Sequence, residues 1–300
     1  MLALVSIGEV MAEIRQSPSS EFTISFAGDT FNTAVYCQRL LHTDERVSYM
    51  TRVGCDPLSM AWDRFASDEG LDLSSVSHDS STNIGIYSVS IDERGERTFN
   101  YWRNQSAARS LFNSPDDIDS IPKARITYLS GISLAILPAE ARASLMSHLA
   151  KISSQGESLV AFDSNYRPTL WESADVARKT IEEMWSIADI ALPSIDDERN
   201  LFGDTSDDAV VQRFAKKAWT ACAVKRGDQG PISPTLAITG NQNFPPAEKV
   251  IDTTAAGDSF NGGYLAALLS GQDELQCLQA GHACASYVVG VPGAISLTSR

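Results

Sequence analysis

From residue 120 onward, short apolar runs alternate with stretches of helical periodicity, and no other feature of the sequence limits the fold as strongly. Residues 126–130, 158–163, 190–192 and 221–225 read as strands, and 138–155, 173–187 and 207–219 as the helices between them. Strands separated by helices of this length form βαβ units. The expected fold class is therefore α/β, a mostly parallel sheet sandwiched by helices. Such sheets bind ligands at the carboxyl ends of their strands, so the residues that follow each strand are the first candidates for a site.

The first hundred residues behave differently. Residues 84–91 and 97–102 are rich in β-branched and aromatic side chains and flank a Gly-containing turn at 92–96, which is a hairpin signal. Residues 13–17 and 22–26 can pair with it. The reading is a small discontinuous β-sheet, drawn from about 11–27 and 83–104, that lies as a lid over the main sheet within a single domain of residues 1–300. There is no internal repeat or low-complexity segment. The apolar run 1–7 lacks a basic flank and is interrupted by Gly8 and Glu9, so it reads as a buried strand rather than a signal peptide.

A formal net charge of −14 over 300 residues works against non-specific binding to nucleic acid or anionic membrane, since both attract basic patches. An anionic ligand must meet local cations. The five cysteines (Cys37, Cys55, Cys222, Cys277, Cys284) are scattered and include no Cys-x-x-Cys pair, as expected of reduced packing residues. No apolar stretch approaches the ~20 residues of a membrane span. The expectation is a cytoplasmic protein, and an apolar lid face would be a natural surface for a homo-oligomer.

The chemistry is concentrated at 250–269. Val250 and Ile251 end an apolar run, Asp252, Thr253, Thr254, Ala255, Ala256 and Gly257 are small or polar, and 259–269 has a strong helical pattern. A loop of small residues entering a helix points backbone N–H groups and the positive end of the helix dipole at one spot, which suits a phosphate. Asp258, in the first turn, can accept a proton from a substrate hydroxyl while the amides of Ala256 and Gly257 stabilise charge on the transferring group. For an isolated Gly-Asp pair the plain reading is an N-cap beside a packing glycine. The full string goes beyond that. A Gly-x4-Gly-Lys-[Ser/Thr] loop is absent, as is Gly-x-Gly-x-x-Gly after a strand, which disfavours P-loop enzymes and dinucleotide dehydrogenases.

Residues 252–258, Asp-Thr-Thr-Ala-Ala-Gly-Asp, resemble the C-terminal signature Asp-Thr-x-Gly-Ala-Gly-Asp of the ribokinase-like (PfkB) carbohydrate kinases. The family's N-terminal string Gly-Gly-x-x-x-Asn is matched by Ala27, Gly28, Asp29 and Asn32, and 224–230 resembles its nucleotide-side Lys-x-Gly-x-x-Gly turn, with Lys225, Gly227 and Gly230. The three motifs occur in order along the chain. The resemblance implies a Rossmann-like sheet with a β lid, ATP as phosphoryl donor and Mg2+ carried on the nucleotide phosphates and water, with no protein ligand set for a metal. A monovalent cation near Asp252 is a further candidate. Two positions depart from the pattern, since alanine replaces glycine at Ala255 and Ala27. Alanine disfavours positive φ, so the loop is expected to adopt a variant that Ala255 can occupy. Pro231 and Pro234 point to an edge strand or a loop after Gly230.

Within the family, the variant at 252–259 and the segments 28–33, 95–104, 129–137 and 165–171 are most similar to the branch that phosphorylates 2-keto-3-deoxygluconate at its C6 hydroxyl. That resemblance implies substrate contacts from Gly28, Asp29, Asn32, Tyr87, Tyr101, Arg103, Arg167 and Asp258. It implies nucleotide contacts from Asn165, Arg167, Lys225, Gly227, Gly230, Thr254, Ala255, Ala256 and Gly257. A sugar acid also agrees with the charge argument, because a carboxylate on an acidic protein needs guanidinium partners. Arg167 can serve either the carboxylate or the γ-phosphate. The bland alternatives are an aromatic cross-strand pair for Tyr87 and Tyr101, a loop-capping side chain for Asn165 and a surface ion pair for Arg167. His282 reads as packing or as lining the adenine site. A kinase for a neutral sugar such as fructose, and a sensor that keeps the fold without the chemistry, are the competing functions. The intact Asp258 weighs against the sensor.

Overall fold

Along the first strand, successive side chains face opposite sides: Leu4 belongs to one apolar cluster, Val5 and Ile7 to another. The same division holds at Tyr128 and Leu129 and at Ala161 and Phe162, as expected of parallel strands buried on both faces. The computed structural model describes residues 2–16, 21–42, 44–91, 97–236 and 244–296. The predicted turn at 92–96 lies outside them, as do Met1 and Ser17 at the ends of two predicted strands.

The described strands are β1 (Leu2–Ile7), β2 (Met11–Gln16), β3 (Phe22–Ala27), β4 (Val47–Gly54), β5 (Val76–Asp79), β6 (Gly85–Ile91), β7 (Arg97–Trp102), β8 (Ala124–Ser130), β9 (Leu159–Asp163), β10 (Ile190–Ala191) and β11 (Ala221–Cys222). Seven form one parallel sheet in the order β11-β10-β9-β8-β1-β4-β5. The order switches direction at β1, which has β8 on one side and β4 on the other, and a crevice at the strand carboxyl ends is expected there. The remaining four make a mixed sheet, β3-β2-β6-β7, with β2 and β6 parallel and both outer pairings antiparallel.

Helices cover both faces of the large sheet. Ala139–Ser154 and Ala174–Ile187 contribute Leu145, Leu149, Ile181 and Met184 to one cluster. Asp29–Leu40, Ala256–Leu269 and Glu274–Val288 contribute Phe31, Tyr264 and Leu278 to the other. Burying each such side chain stabilises by about 1.5–3 kcal/mol. Asp29–Leu40 and Ala256–Leu269 lie very close, because a Cβ at Gly262 would come within 2.7 Å of the Tyr36 side chain and 2.9 Å of the Thr33 carbonyl oxygen. That approach sets the N-terminal turns of both helices, with Asp29 and Asp258, side by side.

Three local expectations are corrected. The helix expected over 207–219 ends early, as Asp207–Phe214. An unpredicted helix, Ile195–Phe202, precedes it and stops at Gly203, which is left-handed at φ 75°. The strand expected over 221–225 is a regular strand only at Ala221–Cys222; beyond it the Ala223 and Lys225 amides still donate to Ala191 and Pro193, Lys225 makes an isolated parallel bridge with Ser194, and Val224 makes an isolated antiparallel bridge with Ile232, between Pro231 and Pro234. Among the described residues, no helix is long and apolar enough to cross a membrane.

Candidate active site

The loop before helix Ala256–Leu269 is pinned by Asp252. Its Oδ1 accepts from the Thr254 amide at 2.8 Å, and its Oδ2 accepts from the Gly293 amide at 3.0 Å and from Arg15 Nη1 at 2.9 Å. These hydrogen bonds outweigh burial and hold the Asp252 carboxyl at about 2. Ala255 then caps the helix in the left-handed region at φ 61°, against the expectation that the alanine would require a different loop. A left-handed alanine costs about 1–2 kcal/mol, and the surrounding contacts hold it there. Its methyl packs against the cluster of Met11, Ala27, Tyr87, Val89 and Ala294 beneath the small sheet. Ala256, Gly257 and Asp258 form the first helical turn, whose amides have no carbonyl of their own helix to bond to.

Asp258 is half-buried, and its carboxyl group is hemmed in by protein. Asn32 Nδ2 donates to its Oδ2 at 2.8 Å, and the Gly28 amide orients that side chain by donating to Asn32 Oδ1 at 3.3 Å. Burial raises the Asp258 carboxyl to about 7, with Asp29 and Asp163 adding repulsion against the opposing pull of Asn32 and Lys225. Asp29 Oδ2 accepts from Asn165 Nδ2 at 2.8 Å and from the Ser130 hydroxyl. Asn165 is itself left-handed, at φ 32°. Gly28 has no room for a side chain, since a Cβ there would overlap the Glu9 carbonyl oxygen. Gly28, Asp29, Asn32, Asn165 and Asp258 thus meet around one point at the strand ends.

Lys225 lies beside the loop, its Nζ 3.6 Å from where a methyl on Gly257 would stand. Nζ donates to Asp163 Oδ2 at 2.5 Å and to Asn261 Oδ1 at 3.1 Å, while Asn261 Nδ2 donates to the same Asp163 oxygen at 2.7 Å. Gly227 and Gly230 follow with φ of 58° and 76°, and Gly230 abuts Phe244. Phe244 packs edge-on against His282 at 5.2 Å, and the two open a cleft of about 580 Å³ with Pro245, Lys249, Ser286 and Val291. Ile251 and Asp252, at the start of the loop, both donate backbone hydrogen bonds to the carbonyl of Val289, the residue before Gly290 of the cleft wall.

The small sheet faces the loop with Tyr87, buried, and Tyr101, exposed, directly paired across β6 and β7 with ring centroids 5.7 Å apart. Arg103 is buried, ion-paired to Glu9, and lies 5.9 Å from the Tyr101 ring. Arg167 is exposed and reaches Asp197 at 3.2 Å. Burial pushes the Tyr101 phenol up, and the positive charges of Arg103 and Arg167 oppose that rise. Among the described residues no cluster of three or more His, Cys, Asp or Glu side chains could hold a metal ion.

Sequence reasoning did not single out Glu9, Glu13, Arg15, Ser130, Asp163 or Asn261. Ser130 and Asp163 are the last residues of β8 and β9, and Glu9 comes two after β1, so the strand-end rule could have found them. Glu13, Arg15 and Asn261 carried no comparable signal.

Comparison with known proteins agrees with this geometry. Residues 1–300 match the pfkB family carbohydrate kinases. A 2-dehydro-3-deoxygluconokinase of Haemophilus influenzae is 38% identical over 301 residues, spanning 98% of this chain and 96% of that protein. One from Escherichia coli K12 is 36% identical over 297 residues, spanning 96% and 95%. Among solved structures, a Vibrio cholerae fructokinase with fructose, ADP and calcium ion bound superposes with a TM-score of 0.82 at 25% identity, over 98% of this chain and 94% of that one. A Thermotoga maritima 2-dehydro-3-deoxygluconokinase superposes at 0.78 over 99% and 96%, and at 18% identity that likeness speaks for the fold alone. A parallel sheet with an amide-lined helix start at its switch point, matched by the family along the whole length, leads to one conclusion: the chain belongs to the pfkB family of carbohydrate kinases.

Proposed function

We propose that this kinase transfers the γ-phosphoryl group of ATP to the C6 hydroxyl of 2-keto-3-deoxygluconate, also called 2-dehydro-3-deoxygluconate. The observation that carries the substrate assignment is the 36–38% identity, over nearly the full length, to proteins bearing that activity as their name. Arg103 beside the Tyr101 ring, and the exposed Arg167 whose charge also acts on that phenol, support it, since a substrate carboxylate on a protein of net charge −14 needs local cations.

In this reading the small sheet is the lid, and Tyr87, Tyr101, Arg103 and Arg167 hold the sugar acid while Gly28, Asp29 and Asn32 orient its hydroxyls. Asp258 accepts the C6 proton as the oxygen attacks in line, and its raised carboxyl suits a base working near neutral pH. The Ala256, Gly257 and Asp258 amides and Lys225 stabilise charge on the phosphoryl group. The cleft by Phe244 and His282 takes the nucleoside, with Gly227 and Gly230 at its edge. An amide cradle beside Lys225, with no cluster of three or more metal-ligating side chains among the described residues, fits a magnesium nucleotide whose ion keeps its contacts to phosphate and water, and the ion when bound would neutralise phosphate charge.

A coupled ADP-release assay over a panel of sugar acids and neutral sugars tests the assignment. The keto-deoxy sugar acid is expected to give the highest kcat/KM, and Asp258→Asn to lower kcat by ~10²-fold or more with nucleotide binding retained. Preferential turnover of fructose would overturn the substrate, and near-normal turnover by Asp258→Asn would overturn the base. Fructose is the second reading, because a rice fructokinase is 27% identical across 97% of this chain.

A further inference from the structure

Glu13 and Asp252 are both buried to within 2% of full enclosure, and one guanidinium joins them. Arg15 lies two residues beyond Glu13 on β2, hence on the same face of the strand. Its Nε and Nη2 donate to the Glu13 carboxylate, and its Nη1 reaches across to Asp252 Oδ2 at 2.9 Å. Glu13 also accepts from the Tyr87 hydroxyl and from Ser25 Oγ, so three of the four strands of the small sheet converge on it. Asp252 in turn holds the Thr254 and Gly293 amides that shape the loop ahead of Ala256 and Gly257.

The polar chain therefore runs from Tyr87 through Glu13, Arg15 and Asp252 to the Thr254 amide. Neither carboxylate can shift without taking the guanidinium with it, because an Arg fork bonded on two edges has one geometry that satisfies both. Arg15 touches neither the helix start nor the tyrosine rings that face the sugar. We propose that Arg15 is a positioning residue that couples the lid to the phosphoryl-transfer loop, so that occupancy on one side fixes geometry on the other. This rests on the functional reading above for which ligand sits on which side.

Hydrogen exchange on the intact protein separates the two ideas. AMP-PNP with Mg2+ is expected to slow exchange in the loop, 252–258, and also in β6 of the lid, although the nucleotide cleft does not include β6. In Arg15→Gln the loop response persists and the β6 response falls by about 3- to 30-fold, the range of typical coupling between linked sites. By reciprocity, 2-keto-3-deoxygluconate alone protects β6 in both proteins, and it protects 252–256, ahead of the Asp258 that the sugar itself touches, only in the parent. Arg15→Lys keeps a cation for a fold that does not tolerate Gln; a point charge cannot bond both carboxylates along a fork, and the remote response is lost again. A purely structural arginine would lower the melting temperature and leave the remote response intact. Retention of that response in a folded Arg15 variant overturns the coupling while leaving the kinase reading in place. Protection of the loop by AMP-PNP with no effect of the sugar acid on β6 in the parent overturns the sugar assignment, and the nucleotide arm still decides the coupling. No loop protection by AMP-PNP overturns both.

Discussion

Replacing Asn32 with Ala should move the pH dependence of catalysis rather than merely reduce it. In the parent the Asp258 carboxyl titrates at about 7, held up by burial and by Asp29 and Asp163. The 2.8 Å hydrogen bond from Asn32 is the first of the effects that pull it down. A hydrogen bond to a charged acceptor contributes about 1.5–3 kcal/mol, which is ~1–2 units of pKa. Without it the titration should move up by ~1–2 units by the same conversion, so less of the carboxyl is ionised at pH 7. With Asp258 as the proposed base, the ionised form is the active one and the rate rises with pH through the titration. The expected loss in kcat/KM is therefore about 5- to 50-fold at pH 7 and small at pH 9.5, apart from any pH-independent loss of sugar contact. Initial rates between pH 5.5 and 9.5, with Mg2+ and ATP saturating, read the position of the acid limb directly. A variant with a uniform loss and a limb unmoved from the parent's would refute both the assignment of that limb to Asp258 and the role given to Asn32.

Two further substitutions test the surroundings. Gly28→Ala forces a Cβ into the Glu9 backbone, and overpacking of that kind costs ~1–3 kcal/mol; because Glu9 also holds Arg103, the KM for the sugar acid should rise together with a lower melting temperature. Arg167→Ala should raise KM for a sugar acid by ~10- to 100-fold, the scale of one charge-assisted hydrogen bond, and leave KM for a neutral sugar unchanged, which steady-state kinetics on both substrates would measure. Arg103→Ala is the less clean probe, because it also leaves Glu9 buried without its guanidinium.

The layers of the fold were legible because their signals are local. The short, nearly continuous apolar runs at 126–130 and 158–163, and the aromatic runs on either side of 92–96, report strand burial directly. Helix Ile195–Phe202 was missed for the converse reason: only Ile195 and Leu201 of its apolar side chains are buried, and three acids fill its first turn. Its boundary residues, Ser194 and Gly203, were nonetheless present in the sequence. At the site, the loop, Asp258 and Asn32 could be found from motifs, whereas the distant hydrogen-bond partners of Asp163 come from positions 225 and 261, which only the tertiary fold brings to one strand end. Arg15 and Asp252 are separated by 237 positions, and no periodicity spans that distance. Ala255 shows the limit of propensity: a residue that avoids positive φ in isolation adopts it where its methyl has a place in a buried cluster.

The segment 293–296 ties the two ends of the chain into one assembly. Gly293 donates to Asp252 of the loop, Tyr36 donates to the Ala294 carbonyl and accepts from the Ser296 amide, and Arg39 donates to the Ser296 carbonyl. A nascent chain can lay down its early strands and first helix long before those residues exist, since domains tend to order from the N-terminus during synthesis. The phosphoryl-transfer loop, however, lacks one of its anchors until residue 293 has emerged. The hydrogen bonding that fixes the Asp252 carboxylate is thus completed only late in synthesis.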